Sequence, residues 1–287
     1  MRLLSVILLL AILLAIGGFA AFHFLHSTPP APLAPPAVQM PVPEHHLIGT
    51  SVQGREIDEY TYGTGTTTLL FVGGIHGAYE WNASALAYQF IDYLNAHPEA
   101  VPKNEKITVI PDLNPDAFHN GLGLDGHFTN VDNLPADLSK YRTNANGVDL
   151  NRNFDCNWSP HGVWQAKPEN TGTAAFSEPE TRALRDFALA ERPVAVVFWH
   201  SASNAVYASQ CNNGILPETL EVMNTYAKAA GYQAIKEFDA YIVTGAGEDW
   251  LASQNIPAIT VELSSHDKVE WDKNILGIEA LISHFAQ

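Results

Sequence analysis

Val194-Ala195-Val196-Val197-Phe198-Trp199 runs for six apolar residues and then stops at His200-Ser201. A strand that is apolar at every position has no wet face, so it belongs inside a sheet covered on both sides. Three other runs share this character: Thr68-Leu69-Leu70-Phe71-Val72, Ile107-Thr108-Val109-Ile110 and Ala258-Ile259-Thr260-Val261. Helical patterns lie between them. Leu86, Phe90 and Leu94 recur at four-residue spacing, and Ser177-Glu178-Pro179-Glu180 reads as a capping box with proline in the first turn. Pro217 opens a further helix that stops at Gly231, and Ile275, Ile278 and Ile282 mark the last. Strands and helices in alternation predict a single three-layer α/β/α domain with a mixed, largely parallel central sheet.

Outward from this core, the chain divides into three parts. Residues 3–22 carry no charge, long enough to cross a bilayer, so residues 1–26 are expected to form a signal anchor or a signal peptide. Either reading, with Arg2 as the only preceding charge, puts the remainder in the periplasm or outside the cell. Residues 27–43 form a Pro-rich linker; seven of the 15 residues from Pro29 to Pro43 are proline, which favours an extended spacer of roughly 45 Å. Residues 44–287 are then expected to form one folded domain. Only anchor and spacer precede it, so no folded inhibitory segment is expected.

Composition narrows the chemistry. Fifteen Lys and Arg face 31 Asp and Glu, a formal charge of −16, which argues against nucleic acid as a partner. With 46% apolar residues the chain can bury a core, and disorder as the main state is excluded. Two cysteines cannot build a thiolate zinc cluster, so a metal here must use His, Asp or Glu.

Three of the four apolar runs end in residues suited to metal or proton chemistry. The first enters Gly73-Gly74-Ile75-His76-Gly77-Ala78-Tyr79-Glu80, the one at Val194 meets His200, and the last meets Glu262. In α/β sheets, sites form at the carboxyl ends of strands. Two imidazoles and a carboxylate that leave a fourth position for water are the ligand set of a catalytic zinc. A lone His at a strand end is more often a polar residue satisfied by backbone.

Taken together, GGIHGAYEWN from Gly73, IPDLNPDAF from Ile110, RTNANGVDLNRNF from Arg142, WHSAS from Trp199, YIVTGAGEDW from Tyr241 and ITVEL from Ile259 resemble the zinc carboxypeptidase family of the carboxypeptidase A and B type. The resemblance covers roughly Ile48 to Phe285 and follows the family's order of motifs. It implies that His76, Glu80 and His200 bind one Zn²⁺ per chain, that Glu262 is the general base, and that Arg142 stabilises the oxyanion. It further implies that Asn151, Arg152 and Tyr241 hold the terminal carboxylate of a peptide substrate, and that Asp149 orients the first zinc histidine.

One departure stands out. The best-known members have His-x-x-Glu, whereas Glu80 follows His76 by four positions; the glycine-rich turn is expected to absorb the extra residue as a bulge. Glu248 aligns with the pocket floor, where a carboxylate would favour a C-terminal Lys, Arg or diaminopimelate; it also reads as an acidic helix start. Cys156 and Cys211 follow active-site motifs closely, and export would allow a disulfide between them. His266, four residues past Glu262, reads as a loop residue, with a place in the cleft as the alternative. The functional expectation is a membrane-anchored or secreted metallocarboxypeptidase. A peptidoglycan-peptide amidase cutting next to diaminopimelate, or an inactive peptide-binding relative, would fit the same motifs.

Overall fold

Each buried strand points successive side chains to opposite faces, and here both faces are covered. The computed structural model describes residues 44–286 together with Ile7, so the expected anchor and linker lie outside the described residues. In chain order the elements are β1 (Glu44–Thr50), β2 (Glu56–Tyr62), β3 (Thr67–Val72), α1 (Trp81–Ala96), β4 (Glu105–Ile110), α2 (Pro115–Leu122), β5 (Gly162–Trp164) and β6 (Lys167–Glu169). They continue as α3 (Pro179–Glu191), β7 (Ala195–Ser201), β8 (Ala205–Ala208), α4 (Pro217–Ala230), β9 (Gln233–Ile235), α5 (Gly247–Ser253), β10 (Ala258–Leu263) and α6 (Trp271–Phe285). Among the described residues, no helix is long and apolar enough to cross a membrane.

Eight strands form one sheet in the order β1-β2-β4-β3-β7-β10-β8-β9. The centre, β4-β3-β7-β10, is parallel throughout, and antiparallel pairs flank it at β1-β2, β2-β4 and β10-β8. Leu69, Phe71, Val197, Trp199, Ile259 and Val261 face one core with α1, α4 and α6. Leu70, Val72, Val196, Phe198 and Ala258 face the other, with α3 and α5. Alternation of this kind is the three-layer arrangement that near-continuous apolar strands require.

The expected capping box does not form. Glu178, not Ser177, is the N-cap of α3, and its side chain makes no capping bond. Both glutamates are drawn into longer-range contacts instead: Glu178 Oε2 accepts from Asn144 and Asn146, while Glu180 accepts from Asn144 and from the Val52 N–H. The Glu178 N–H is satisfied by Asn153 Oδ1 at 3.2 Å. Satisfying distant buried amides outweighed a local cap, because an unmade buried bond costs about 1–3 kcal/mol.

Glu105 opens β4 and is fully buried, with neither carboxylate oxygen hydrogen-bonded among the described residues. Burial pushes its carboxyl up to about 7. A raised carboxyl favours the protonated folded form, so the associated destabilisation grows as pH rises from about 4.5 and is complete above about 7. Glu105→Gln is therefore expected to raise unfolding free energy by about 1–3 kcal/mol at pH 8 and to leave it nearly unchanged at pH 5. Urea titrations at the two pH values check this, and an equal effect at both would discard the ionisation account.

Candidate active site

The site gathers where β3, β7 and β10 end. Beyond β3, Gly77–Glu80 forms one 3₁₀ turn with His76 at its start. The extra residue between His76 and Glu80 is thus taken up by a tight helical turn and not by a strand bulge. Gly77 permits it: its φ is +51°, and a Cβ there would sit 2.3 Å from Ala117 Cβ. On the sheet itself, β10 pairs in parallel with β7 and sets Glu262 directly beside His200. His76, Glu80 and His200 are all buried, and one candidate ligand atom from each lies within 4.8 Å of the other two.

Contacts among these groups are specific. His200 Nδ1 lies 3.1 Å from Glu80 Oε2, and the Ser201 N–H donates to the same oxygen at 3.1 Å. Arg142 donates to Glu80 Oε1 at 3.1 Å and to His76 Nε2 at 3.0 Å, and grips Asp149 Oδ2 through Nε and Nη2. A guanidinium only donates, so His76 carries its lone pair on Nε2 and its ring proton on Nδ1, 3.4 Å from Asp149 Oδ1. Asp149 is fully buried and also caps the Leu150–Arg152 turn by accepting the Asn151 N–H.

The donor set suits zinc. Two imidazoles and a carboxylate converge in a buried setting, and His200 Nε2 lacks a hydrogen bond among the described residues. The two rings differ in their electrostatics. Burial lowers His76 well below the usual imidazole range, with Arg142 adding to the effect. For His200 burial acts in the same direction, but Glu80 outweighs it and holds the ring at about 9. Glu262 is pushed up to about 7 by burial, helped by the Glu80 carboxylate.

One cleft of about 840 Å³ takes in His76, Glu80, His200, Glu262 and Arg142, and extends to Asn151, Arg152, Tyr241 and Glu248. Asn151 Oδ1 accepts the Gly247 N–H at 2.8 Å, which fixes its amide orientation. Gly245, at φ +70°, packs where a Cβ would meet Arg152 O at 2.4 Å, so the Tyr241–Glu248 segment lies hard against the Asn151-Arg152 turn. Glu248 sits in the first turn of α5 and also lines the cleft, with Oε2 buried and lacking a hydrogen bond among the described residues. Cys156 and Cys211 are joined in a disulfide, and the adjacent Gln210 N–H donates to Asp249 Oδ1 at 2.9 Å.

Three cleft residues, Trp164, Tyr79 and Asp249, escape sequence reasoning. Trp164 stands on the β5-β6 hairpin with the Arg142 guanidinium 4.7 Å from its ring, and nothing local marks so short a hairpin. Tyr79 packs edge-on against Trp164 at 5.4 Å. Asp249 lines the pocket beside Glu248, and burial and that neighbour raise its carboxyl to about 7. His266 lies in the loop between β10 and α6 and also lines the cleft, so both of its readings hold; its proximity to Glu262 in the sequence was the available signal.

The ends of β3, β7 and β10 bring two imidazoles and two glutamates, joined by the buried Arg142 guanidinium, to one cleft whose donor set could hold a metal. The chain belongs to the zinc carboxypeptidase family, whose model matches residues 42–276. The chain is 25% identical over 242 residues to a γ-D-glutamyl-L-diamino acid endopeptidase of Lysinibacillus sphaericus, covering 76% of this chain and 60% of that relative's length. Bovine thrombin-activatable fibrinolysis inhibitor, solved with a tick carboxypeptidase inhibitor, shares the fold at TM-score 0.66 and 20% identity, over 85% of this chain and 90% of that one. Murein-tripeptide amidase from Escherichia coli O157 does so at TM-score 0.59 and 23% identity, over 88% of this chain and 98% of that one.

Proposed function

We propose that this chain is a zinc-dependent carboxypeptidase that hydrolyses the last peptide bond of substrates ending in a residue with a cationic side chain. The observation that carries this reading is the shared cleft: the His76-Glu80-His200 group and Glu262 open onto the same space as Asn151, Arg152 and Glu248. His76, Glu80 and His200 would hold the zinc. Bound there, zinc supplies Lewis-acid polarisation of the scissile carbonyl and a water acidified toward a pKa of ~7. Glu262 takes the proton of the attacking water and passes it to the leaving amine. Arg142 presents fixed positive charge to the oxygen that becomes negative, and Asp149 keeps both Arg142 and His76 aligned. Asn151 Nδ2 and the Arg152 guanidinium receive the substrate's terminal carboxylate. The Cys156–Cys211 disulfide suits an oxidising compartment and supports the extracytoplasmic placement read from residues 3–22.

A second reading is an amidase that cuts beside diaminopimelate. The names of the Lysinibacillus and Escherichia relatives favour it, and the ammonium of diaminopimelate would satisfy Glu248 as well as that of lysine. Peptides ending in lysine, arginine, phenylalanine, glutamate or diaminopimelate, assayed with wild type and Glu248→Gln, separate the readings. Loss of a desolvated charge partner is expected to lower kcat/KM on the cationic ends roughly 30- to 1,000-fold, equivalent to about 2–4 kcal/mol, and to spare the phenylalanine peptide. An unchanged preference in Glu248→Gln would remove it from the pocket. The end residue that wild type cuts fastest decides between carboxypeptidase and amidase.

A further inference from the structure

Beside Tyr79 runs a hydrogen-bond chain that the proposed reaction leaves without a task. Asn82 Nδ2 donates to the carbonyls of Ser265 and Lys268, at 2.7 and 2.9 Å, so its amide orientation is fixed with Oδ1 turned to Ser201 Oγ, 3.0 Å away. An amide oxygen only accepts; the Ser201 hydroxyl must therefore donate to it. Its remaining lone pairs face His266 Nδ1 at 2.8 Å, a contact that needs the ring proton on Nδ1. In the neutral ring the lone pair is then left on Nε2. The direction of every proton in the chain follows from Asn82 alone.

His266 is also well placed. Its ring packs on Tyr79, the residue before Glu80, with centroids 4.5 Å apart. Its partner Ser201 follows His200 and donates its N–H to Glu80. The ring lines the cleft, yet its hydrogen bond and ring contact are to Ser201 and Tyr79, not to Asn151, Arg152, Tyr241 or Glu248. A peptide whose carboxylate lies at Arg152 and whose last bond lies at Glu262 must run its upstream part past other walls of the cleft. The first upstream residue offers one backbone N–H.

We propose that His266 is a substrate-positioning residue whose Nε2 accepts the backbone N–H of the residue on the acyl side of the scissile bond, so that the enzyme selects peptides with a donor there. The inference rests on the peptidase reading. Asn and Gln substitutions divide the two halves of the ring: Asn reaches only the Nδ1 position and keeps the Ser201 bond, whereas Gln reaches the Nε2 position and loses it. A merely structural role predicts that Asn rescues; a positioning role predicts that Gln does.

The test measures binding by calorimetry to the zinc-loaded full chain in a Glu262→Gln background, so turnover is not required. Two probes are compared: acetyl-alanyl-alanyl-lysine, and its isostere in which the second alanine is lactate, so that the N–H becomes an ester oxygen. With His266 intact the amide is expected to bind about 3- to 10-fold tighter, equivalent to one net hydrogen bond. The ratio should fall to about one in His266→Asn and return in His266→Gln. A ratio near one with His266 intact, or one that persists in His266→Asn, overturns the proposal. Hydrolysis of the amide probe by the wild-type enzyme tests the peptidase reading separately.

Discussion

Glu262→Gln is expected to lower kcat by ~10²- to 10⁴-fold, the range of a lost general base, with peptide affinity and zinc content held. Gln keeps the size and the hydrogen-bonding reach of Glu but cannot take up a proton. Strand pairing makes the substitution informative, since Glu262 is locked beside His200 by the β7-β10 register and an isosteric side chain has no reason to shift it. Burial and the Glu80 carboxylate hold the Glu262 carboxyl near 7, which gives it the proton affinity that a base needs close to neutrality. If kcat and kcat/KM fall by the same factor, the lost interaction belongs to the transition state. Retained turnover would exclude Glu262 as the base and return the question to the other carboxylates of the cleft.

His200→Ala is expected to reduce bound zinc from about one per chain to below about a tenth after dialysis, because two ligands leave the coordination shell open. Activity should fall with it. A thermal readout separates metal loss from misfolding: zinc should raise the melting midpoint of wild type by binding only the folded form, and should leave that of His200→Ala where it was. The variant keeps its β7 backbone pairing to β3 and β10, so the sheet is expected to persist. Full zinc occupancy in His200→Ala would place the metal elsewhere and undo the proposed reaction. Metal analysis and differential scanning calorimetry supply both measurements.

Much of the scaffold was legible because its strands are buried on both faces. β3, β4, β7 and β10 hold all of the four apolar runs except Val194, and the helices at Trp81, Pro179, Pro217 and Trp271 contain the expected periodic residues. The outer strands were not legible. β2 buries Glu59 on its inner side, which breaks the hydropathy alternation, and β8 is a four-residue strand whose antiparallel pairing depends on β10. Ser177 and Glu178 carried a capping signature that Asn144, Asn146 and Asn153 overrode from elsewhere in the chain. Trp164 was hidden for a similar reason, because its surroundings are made by Arg142 and Tyr79, which are remote in sequence; the cleft reading of His266 was open, but its bond to Ser201 and its contact with Tyr79 were not legible.

By itself the sequence determined which residue types close each buried strand, the layered architecture that those strands demand, and the family to which the motifs point. Only the folded chain decided that the side chains meet. His200 and Glu80 are 120 positions apart and touch within 3.1 Å, a relation that no periodicity records. The reason is physical: apolar spacing fixes the face each residue takes within its own element, whereas the alignment of one strand against another is set by ladder bonds and core packing spread over the whole sheet.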